Sequence, residues 1–121
     1  MRLLLLIAPT VFFAVYGQLI TKWRVQHLAN GVAPDASVWV RAAHYLADPY
    51  VLSTYLAAIA GSIAWLLVVE RAPVAVAFPI YVGSTVLLVA VAGIVLFDEA
   101  ITPARLIGMA LIVAGVGIGS R

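Results

Sequence analysis

The sequence predicts an all-α integral membrane protein: four transmembrane helices, with a short interfacial helix between the first and second. Two observations carry this. The chain of 121 residues is 65% hydrophobic and only 10% charged, whereas a soluble domain carries about 25% charged residues. The charges also cluster, so that Leu3–Thr21, Tyr50–Val69 and Ala72–Phe97 run uncharged for 19, 20 and 26 residues. A helix needs roughly 20 apolar residues to cross a bilayer. A fourth run, Leu106–Ser120, has 15 residues. It reaches spanning length if the helix begins at Pro103 and Arg105 extends its charge to the interface.

The first helix is expected over about residues 3–23, with Pro9 bending it early. It does not read as a cleaved signal peptide, because no Ala-x-Ala-like site follows its apolar core and three more spans come after it. Residues 24–48 form the one long connection, broken by Asn30-Gly31 and Pro34. Behind Pro34, with Asp35 as the expected cap, about residues 36–47 are amphipathic. Ser37, Arg41, His44 and Asp48 share one helical face, and Trp39, Ala42, Ala43 and Leu46 lie opposite. That pattern suits a helix lying in the interface. The second helix is expected over about 50–69, the turn at Glu70–Pro73, and the third helix over about 73–97 with Pro79 inside it. Thr102-Pro103 supplies a cap and a first-turn proline for the fourth helix, about 103–120. Residues 1–121 thus read as a single transmembrane domain.

Between Leu106 and Gly119 the fourth helix has no polar side chain, but it carries Ala104/Gly108, Ala110/Ala114 and Gly115/Gly119, each pair four apart. Small residues at this spacing let helix backbones approach in lipid. The pairs serve either packing within one chain or a dimer contact. An even number of spans places both ends on one side. That side holds Arg2, Arg71 and Arg121, and the other holds Lys22, Arg24, Arg41 and Arg105. Lys/Arg bias sets orientation, and here it is nearly absent. Either a small difference suffices, or copies insert both ways and pair antiparallel, which would supply the inverted repeat that many transporters carry within one chain.

Thr10, Ala14, Gln18 and Lys22 are spaced by four on the first helix, with Thr21 beside them. They form one polar stripe on an otherwise apolar surface. Gln18 is either an interhelical hydrogen-bonding group or part of a substrate chamber. Ala77, Tyr81 and Ser84/Thr85 make a matching stripe on the third helix, and the second offers Ser62 and Trp65. Together these describe a weakly polar chamber with aromatic walls and no carboxylate at depth. Lys22, Arg24 and Arg41 at one end suit a phosphate, or they contact anionic lipid while Trp23, Trp39 and Tyr45 form an interfacial belt.

Other chemistries are poorly served. With no cysteine, disulfides and thiolate metal sites are excluded. There is no Ser/His/Asp arrangement, no phosphate-binding loop and no His/carboxylate cluster at metal spacing, so neither an enzyme nor a cofactor is expected. Glycines 115, 117 and 119 follow an apolar helix rather than a strand, which removes the nucleotide reading. A net charge of +2 gives no reason to expect nucleic acid.

The chain resembles the small multidrug resistance and EamA-like branch of the drug/metabolite transporter superfamily. The resemblance runs through "GQLITK" closing the first helix, "LLVVERAPVAVAFPIYVGS" entering the third, and "VLFDEAITPARLIGMALIVAGVGI" at the end. It implies a bacterial inner-membrane, multi-pass subunit that works as a homodimer. Helices one to three would line the chamber, and helix four would hold the dimer through Gly108, Gly115 and Gly119. The aromatic positions of the third helix carry over onto Phe78 and Tyr81. The membrane-embedded glutamate of the drug exporters does not, since Ala14 stands at the matching position. "GQLITK" is closer to the small flippase subunits that move aminoarabinose-linked undecaprenyl phosphate. The resemblance therefore implies a lipid-linked or otherwise amphipathic substrate. The chamber would be lined by Gln18, Trp65, Phe78, Tyr81 and Ser84, with the phosphate at Lys22 beside Arg24 or Arg41. Two other readings stand beside it: efflux of hydrophobic cations, which needs an anionic site, and a non-transporting accessory subunit of a membrane enzyme.

The charge balance is testable. Tags on the ends of the unmodified chain are expected on both sides of the membrane. Two Lys added within Glu70–Pro73 are expected to bring that turn to the cytoplasm in nearly all copies. A single orientation of the unmodified chain would contradict dual insertion.

Overall fold

The computed structural model describes residues 2–120. Arg121 and the side chain of Arg2, both in the charge count above, lie outside the described residues. The elements are α1 (Arg2–Leu28), a 3-10 turn (Ala29–Gly31), α2 (Val38–Leu46), α3 (Pro49–Arg71), α4 (Val74–Phe97) and α5 (Pro103–Gly119). There is no strand among the described residues. Helices α1, α3 and α4 are long and apolar enough to cross a membrane, and α5 is a shorter apolar helix of 17 residues. At 1.5 Å per residue α5 is about 25 Å long, a little under the hydrocarbon thickness.

Helix α1 continues past Trp23 to Leu28. Hydropathy falls at Lys22 and Arg24, but falling hydropathy marks an exit from hydrocarbon and not the end of a helix. In the last turns His27 Nδ1 lies 2.8 Å from the Trp23 carbonyl, with the two rings 5.3 Å apart. The helix ends where Asn30 and Gly31 follow. The cap of α2 is Ser37, whose hydroxyl accepts from the Val40 N–H at 3.3 Å, in place of the expected Asp35. Asp48 caps α3 by accepting from the Val51 N–H at 3.1 Å, and Pro49 occupies the first turn. Thr102 caps α5 in the same manner, accepting from the Arg105 N–H at 3.2 Å ahead of Pro103. Pro9 and Pro79 both lie inside helices that continue through them. Asp98, at φ 51°, ends α4 in the left-handed region, which aspartate tolerates better than most residues.

Helix α1 is the central element. It packs along α3 and onto α4, whereas α5 touches only α4. Ile7 and Val11 of α1, Val68 of α3, and Ala77 and Ile80 of α4 form the buried core. The three helices are therefore joined where α1 begins, α3 ends and α4 begins. Close approach is made possible by glycine at two points. A Cβ on Gly61 would come within 3.3 Å of Phe13 Cβ, and one on Gly83 would collide with Val116 of α5. The outer surfaces are apolar, with Leu5, Leu56, Val95 and Ile118 all exposed, as suits helices surrounded by lipid.

The opposite ends of α1 and α3 are joined by polar contacts. Arg24 Nη2 donates to Asp48 Oδ1 at 2.8 Å, and its Nε donates to Oδ2 at 3.1 Å. The guanidinium also lies 5.0 Å from the Trp23 ring centroid and 4.7 Å from that of Tyr50. One turn or two further in, the Tyr16 and Ser53 hydroxyls are 2.7 Å apart. The connection is stapled in turn by α2. Arg41 donates to the carbonyls of Pro34 at 2.7 Å and of Ala33 and Ala36 at 3.3 Å, and His44 Nε2 lies 3.0 Å from the Leu28 carbonyl. Val38 and Trp39 point away, 76% and 83% exposed. So α2 turns its polar side chains toward the chain and presents apolar ones outward.

The hydrogen bond from Arg24 holds the Asp48 carboxyl below its ordinary value. Burial opposes this, and the Val51 N–H reinforces it. A carboxyl more acidic in the folded than in the unfolded chain stabilises the fold above its unfolded value of ~3.9, and loses that contribution as pH falls through the folded value. The thermal midpoint in detergent is expected to be level from pH 7 to about 5 and to decline below about 4. Asp48→Asn should start lower at pH 7 and lack that part of the acid decline. Parallel pH profiles for the two proteins would show that the pair contributes nothing.

Candidate functional site

Helices α1, α3 and α4 border a cleft of about 750 Å³, within the roughly 300–1,000 Å³ typical of small-molecule sites. It exists because α1 contacts both neighbours while α3 and α4 touch each other only briefly. Helix α1 contributes Thr10, Phe13, Ala14, Gly17, Gln18 and Thr21, positions three and four apart on one face. Helix α3 contributes Thr54, Ala58, Ser62 and Trp65 at the same spacing, with Tyr55 beside them, and α4 contributes Phe78 and Tyr81.

Three rings make one wall. Trp65 and Tyr81 are 5.3 Å apart at 44°, and Phe78 lies 6.2 Å from Trp65 and 6.1 Å from Tyr81. The polar groups differ in how far they are engaged. Thr54 Oγ1 donates to the Val51 carbonyl at 2.6 Å, and Ser62 Oγ to the Ala58 carbonyl at 2.9 Å. Gln18 and Thr21 are exposed to the cleft and make no side-chain hydrogen bond among the described residues. Among the described residues no charged side chain lines the cleft. Ala14 leaves its centre without a carboxylate, so a cation entering it would meet ring faces and dipoles but no counter-charge.

Of the expected chamber residues, the structure brings Gln18, Trp65, Phe78 and Tyr81 together. Ser84 is half-buried one turn beyond Tyr81 and does not line the cleft. Lys22 is exposed one turn beyond Gln18, outside the lining residues and without a polar partner among the described residues. Arg24 and Arg41 are engaged within the chain, the first by Asp48 and the second by three carbonyls. A Cβ at Gly108, Gly115 or Gly119 would meet no neighbouring helix within 4 Å; Gly115 and Gly119 are exposed, and Gly108 borders a small groove against α4. Phe13, Gly17 and Tyr55 line the cleft without having been singled out from the sequence. The spacing of Thr54, Ala58, Ser62 and Trp65 is the sequence signal for the α3 face beside Tyr55, whereas Phe13 and Gly17 each precede a member of the α1 stripe by one residue. Among the described residues no group of His, Asp and Glu could hold a metal ion.

An all-helical bundle with apolar outer surfaces and a weakly polar cleft between its helices is the architecture of a small membrane protein. Residues 36–112, more than half of the chain, match the Small Multidrug Resistance protein family, and the chain belongs to that family. It is accordingly a small multi-pass membrane transporter. No curated protein and no solved structure gives a significant match. The matched segment begins at α2 and leaves out α1, so Ala14, Gln18 and Lys22 are read from this chain's own geometry.

Two substitutions compare the polar groups of α1. Gln18→Leu is expected to leave the thermal midpoint unchanged or raise it, because the amide has no partner among the described residues. Tyr16→Phe removes one side of the contact with Ser53 and is expected to cost about 0.5–1.5 kcal/mol. If Gln18→Leu proves the more destabilising, Gln18 is an interhelical contact and not a cleft group.

Proposed function

We propose that this chain is one subunit of a dimeric, flippase-like carrier that moves an amphipathic lipid, best matched by a polyprenyl-phosphate-linked sugar, between leaflets by alternating access. The observation that carries this reading is a cleft lined, among the described residues, by no charged side chain, with Ala14 on its α1 wall and Lys22 one turn beyond Gln18 without a polar partner among those residues. The phosphate is assigned to Lys22. Arg24 and Arg41 are assigned to holding the connection rather than to the substrate. The polyprenyl tail stays in the bilayer while the headgroup occupies the space beside Gln18, Trp65, Phe78 and Tyr81.

The partner is assigned as a second copy, held through Gly108, Gly115 and Gly119 and arranged antiparallel. The open face of α5 and the near-equal Lys/Arg balance support this. Helix α2 is assigned to the membrane interface, supported by its outward Val38 and Trp39. The location is assigned to the bacterial inner membrane. A second reading, efflux of hydrophobic cations, draws on the family and on the three-ring wall, since ring faces attract cations.

One pair of measurements on detergent-solubilised protein separates the readings. A prenyl phosphate lipid is expected to bind, and Lys22→Ala to weaken it by about 1.5–3 kcal/mol, the range for hydrogen bonds to charged groups. Lys22→Arg should retain much of the affinity. Quaternary ammonium compounds added in weak buffer should release no protons. Stoichiometric proton release near neutral pH would replace the lipid reading with drug antiport.

A further inference from the structure

A groove of about 280 Å³ lies between α4 and α5 and shares no residue with the cleft. Ala90 and Ile94 of α4 and Met109 and Ile112 of α5 make it apolar. Two exposed charged residues also line it, Glu99 from the turn between the helices and Arg105 from the first turn of α5. Opposite charges on neighbouring segments ordinarily pair, yet the one ion pair among the described residues is Arg24–Asp48. The Glu99 carboxylate has no hydrogen-bond partner there either. Arg105 donates from Nη1 to the Ala100 carbonyl and keeps Nε and Nη2 free among the same residues.

Both charges also lie beside the unfavourable helix end. The left-handed turn at Asp98 folds the chain back, so that the Glu99 N–H reaches the Gly93 carbonyl at 3.4 Å. The carboxylate then rests on α4 near its C-terminus, and a Cβ on Gly93 would come within 3.1 Å of Oε2. That end of a helix carries partial negative charge, and the first turn of α5, which bears Arg105, carries partial positive charge. Exchanged or paired, the two side chains would support the helices. Held apart over an apolar groove, they form the complement of a molecule that carries a cation, an anion and an acyl chain.

We propose that this groove binds a phospholipid whose zwitterionic headgroup ends in a primary ammonium, the chemistry of phosphatidylethanolamine. The ammonium is assigned to Glu99, the phosphate to Arg105, and part of one acyl chain to Ile94, Met109 and Ile112. An ionised carboxylate only accepts hydrogen bonds, so an ammonium with N–H groups satisfies it and a quaternary one does not. The groove is too small for a second helix, which is about 10–12 Å across. Gly108 at its edge belongs to the assigned dimer contact, which places the lipid at the border of the partner copy. The inference is independent of what the cleft carries.

The test uses the full chain in detergent with short-chain phosphatidylethanolamine, phosphatidylcholine and phosphatidylglycerol, and with tail-less phosphoethanolamine. Affinity is read from the ligand-dependent rise in thermal midpoint. Phosphatidylethanolamine is expected to bind tightest and phosphoethanolamine not to bind. Glu99→Gln should weaken phosphatidylethanolamine about fivefold, the upper end for an exposed ion pair, and bring it level with phosphatidylcholine. Arg105→Gln should weaken both. Gly93→Ala, which crowds the carboxylate, should reproduce Glu99→Gln; were it not to fold, Glu99→Gln would be read in its place. Unliganded Glu99→Gln should unfold at the parent's temperature or higher, since it removes a charge that opposes α4. Lys22→Ala should keep the preference, and losing it there would assign the binding to the cleft and overturn the proposal. Equal binding of the three lipids, tightest binding of phosphatidylglycerol, binding of tail-less phosphoethanolamine, or an unaltered preference in Glu99→Gln also overturns it. A Glu99→Gln protein with changed dimerisation and unchanged lipid responses would give the groove to the second copy instead.

Discussion

Hydrocarbon offers no partner to a peptide group or a charge, and that constraint orders the rest of the molecule. The backbone must satisfy its own hydrogen bonds, so every spanning segment is a helix. Charges retreat to helix ends, where two of them hold the chain together. Arg24 joins the end of α1 to the start of α3, and Arg41 ties the connection to α2. With lipid as solvent, apolar side chains gain little by meeting one another, so contact depends on fit. Gly61 against Phe13 and Gly83 against Val116 are where fit is closest.

The cleft follows from how these contacts are distributed. The core around Ile7, Val68 and Ala77 gathers three helices at one end. Toward the other end α1 and α3 stay together through Tyr16–Ser53 and Arg24–Asp48, while α4 keeps company with α5. The space between the two pairs is bordered by the polar stripe of α1 and the three-ring wall. Its neutrality is as informative as its shape. A charged guest is costly wherever water is excluded and no counter-charge waits, and no charged side chain among the described residues lines this cleft.

Much of this was legible in the sequence because hydrophobic run length and period are local properties. The uncharged runs mark α1, α3 and α4, and Thr102-Pro103 marks the start of α5. The period-four stripe placed Gln18 on the face that borders the cleft. What could not be read depends on distant neighbours. The sequence puts Arg24 and Arg41 beside Lys22 as three equivalent cations. Only the meeting of α1 with the N-terminus of α3 reveals that Asp48 engages Arg24, and only the fold of residues 33–36 turns three carbonyls onto Arg41. Ser84 shares a stripe with Tyr81, yet α4 is leaving the cleft by that point and approaching α5 at Gly83.

If the face of α1 bearing Gln18 borders a water-accessible chamber that the substrate fills, a thiol at that position reacts with a polar reagent and is shielded by the lipid. The chain has no cysteine, so single cysteines report without background. Gln18→Cys and Leu56→Cys, the latter at a position on the apolar outer surface that is 69% exposed, can be reconstituted in vesicles and treated with a membrane-impermeant maleimide, with and without a short-chain prenyl-phosphate sugar. The account expects labelling at 18 that the lipid suppresses, and negligible labelling at 56. Equal labelling at both positions, or labelling at 18 that the lipid leaves untouched, would contradict it.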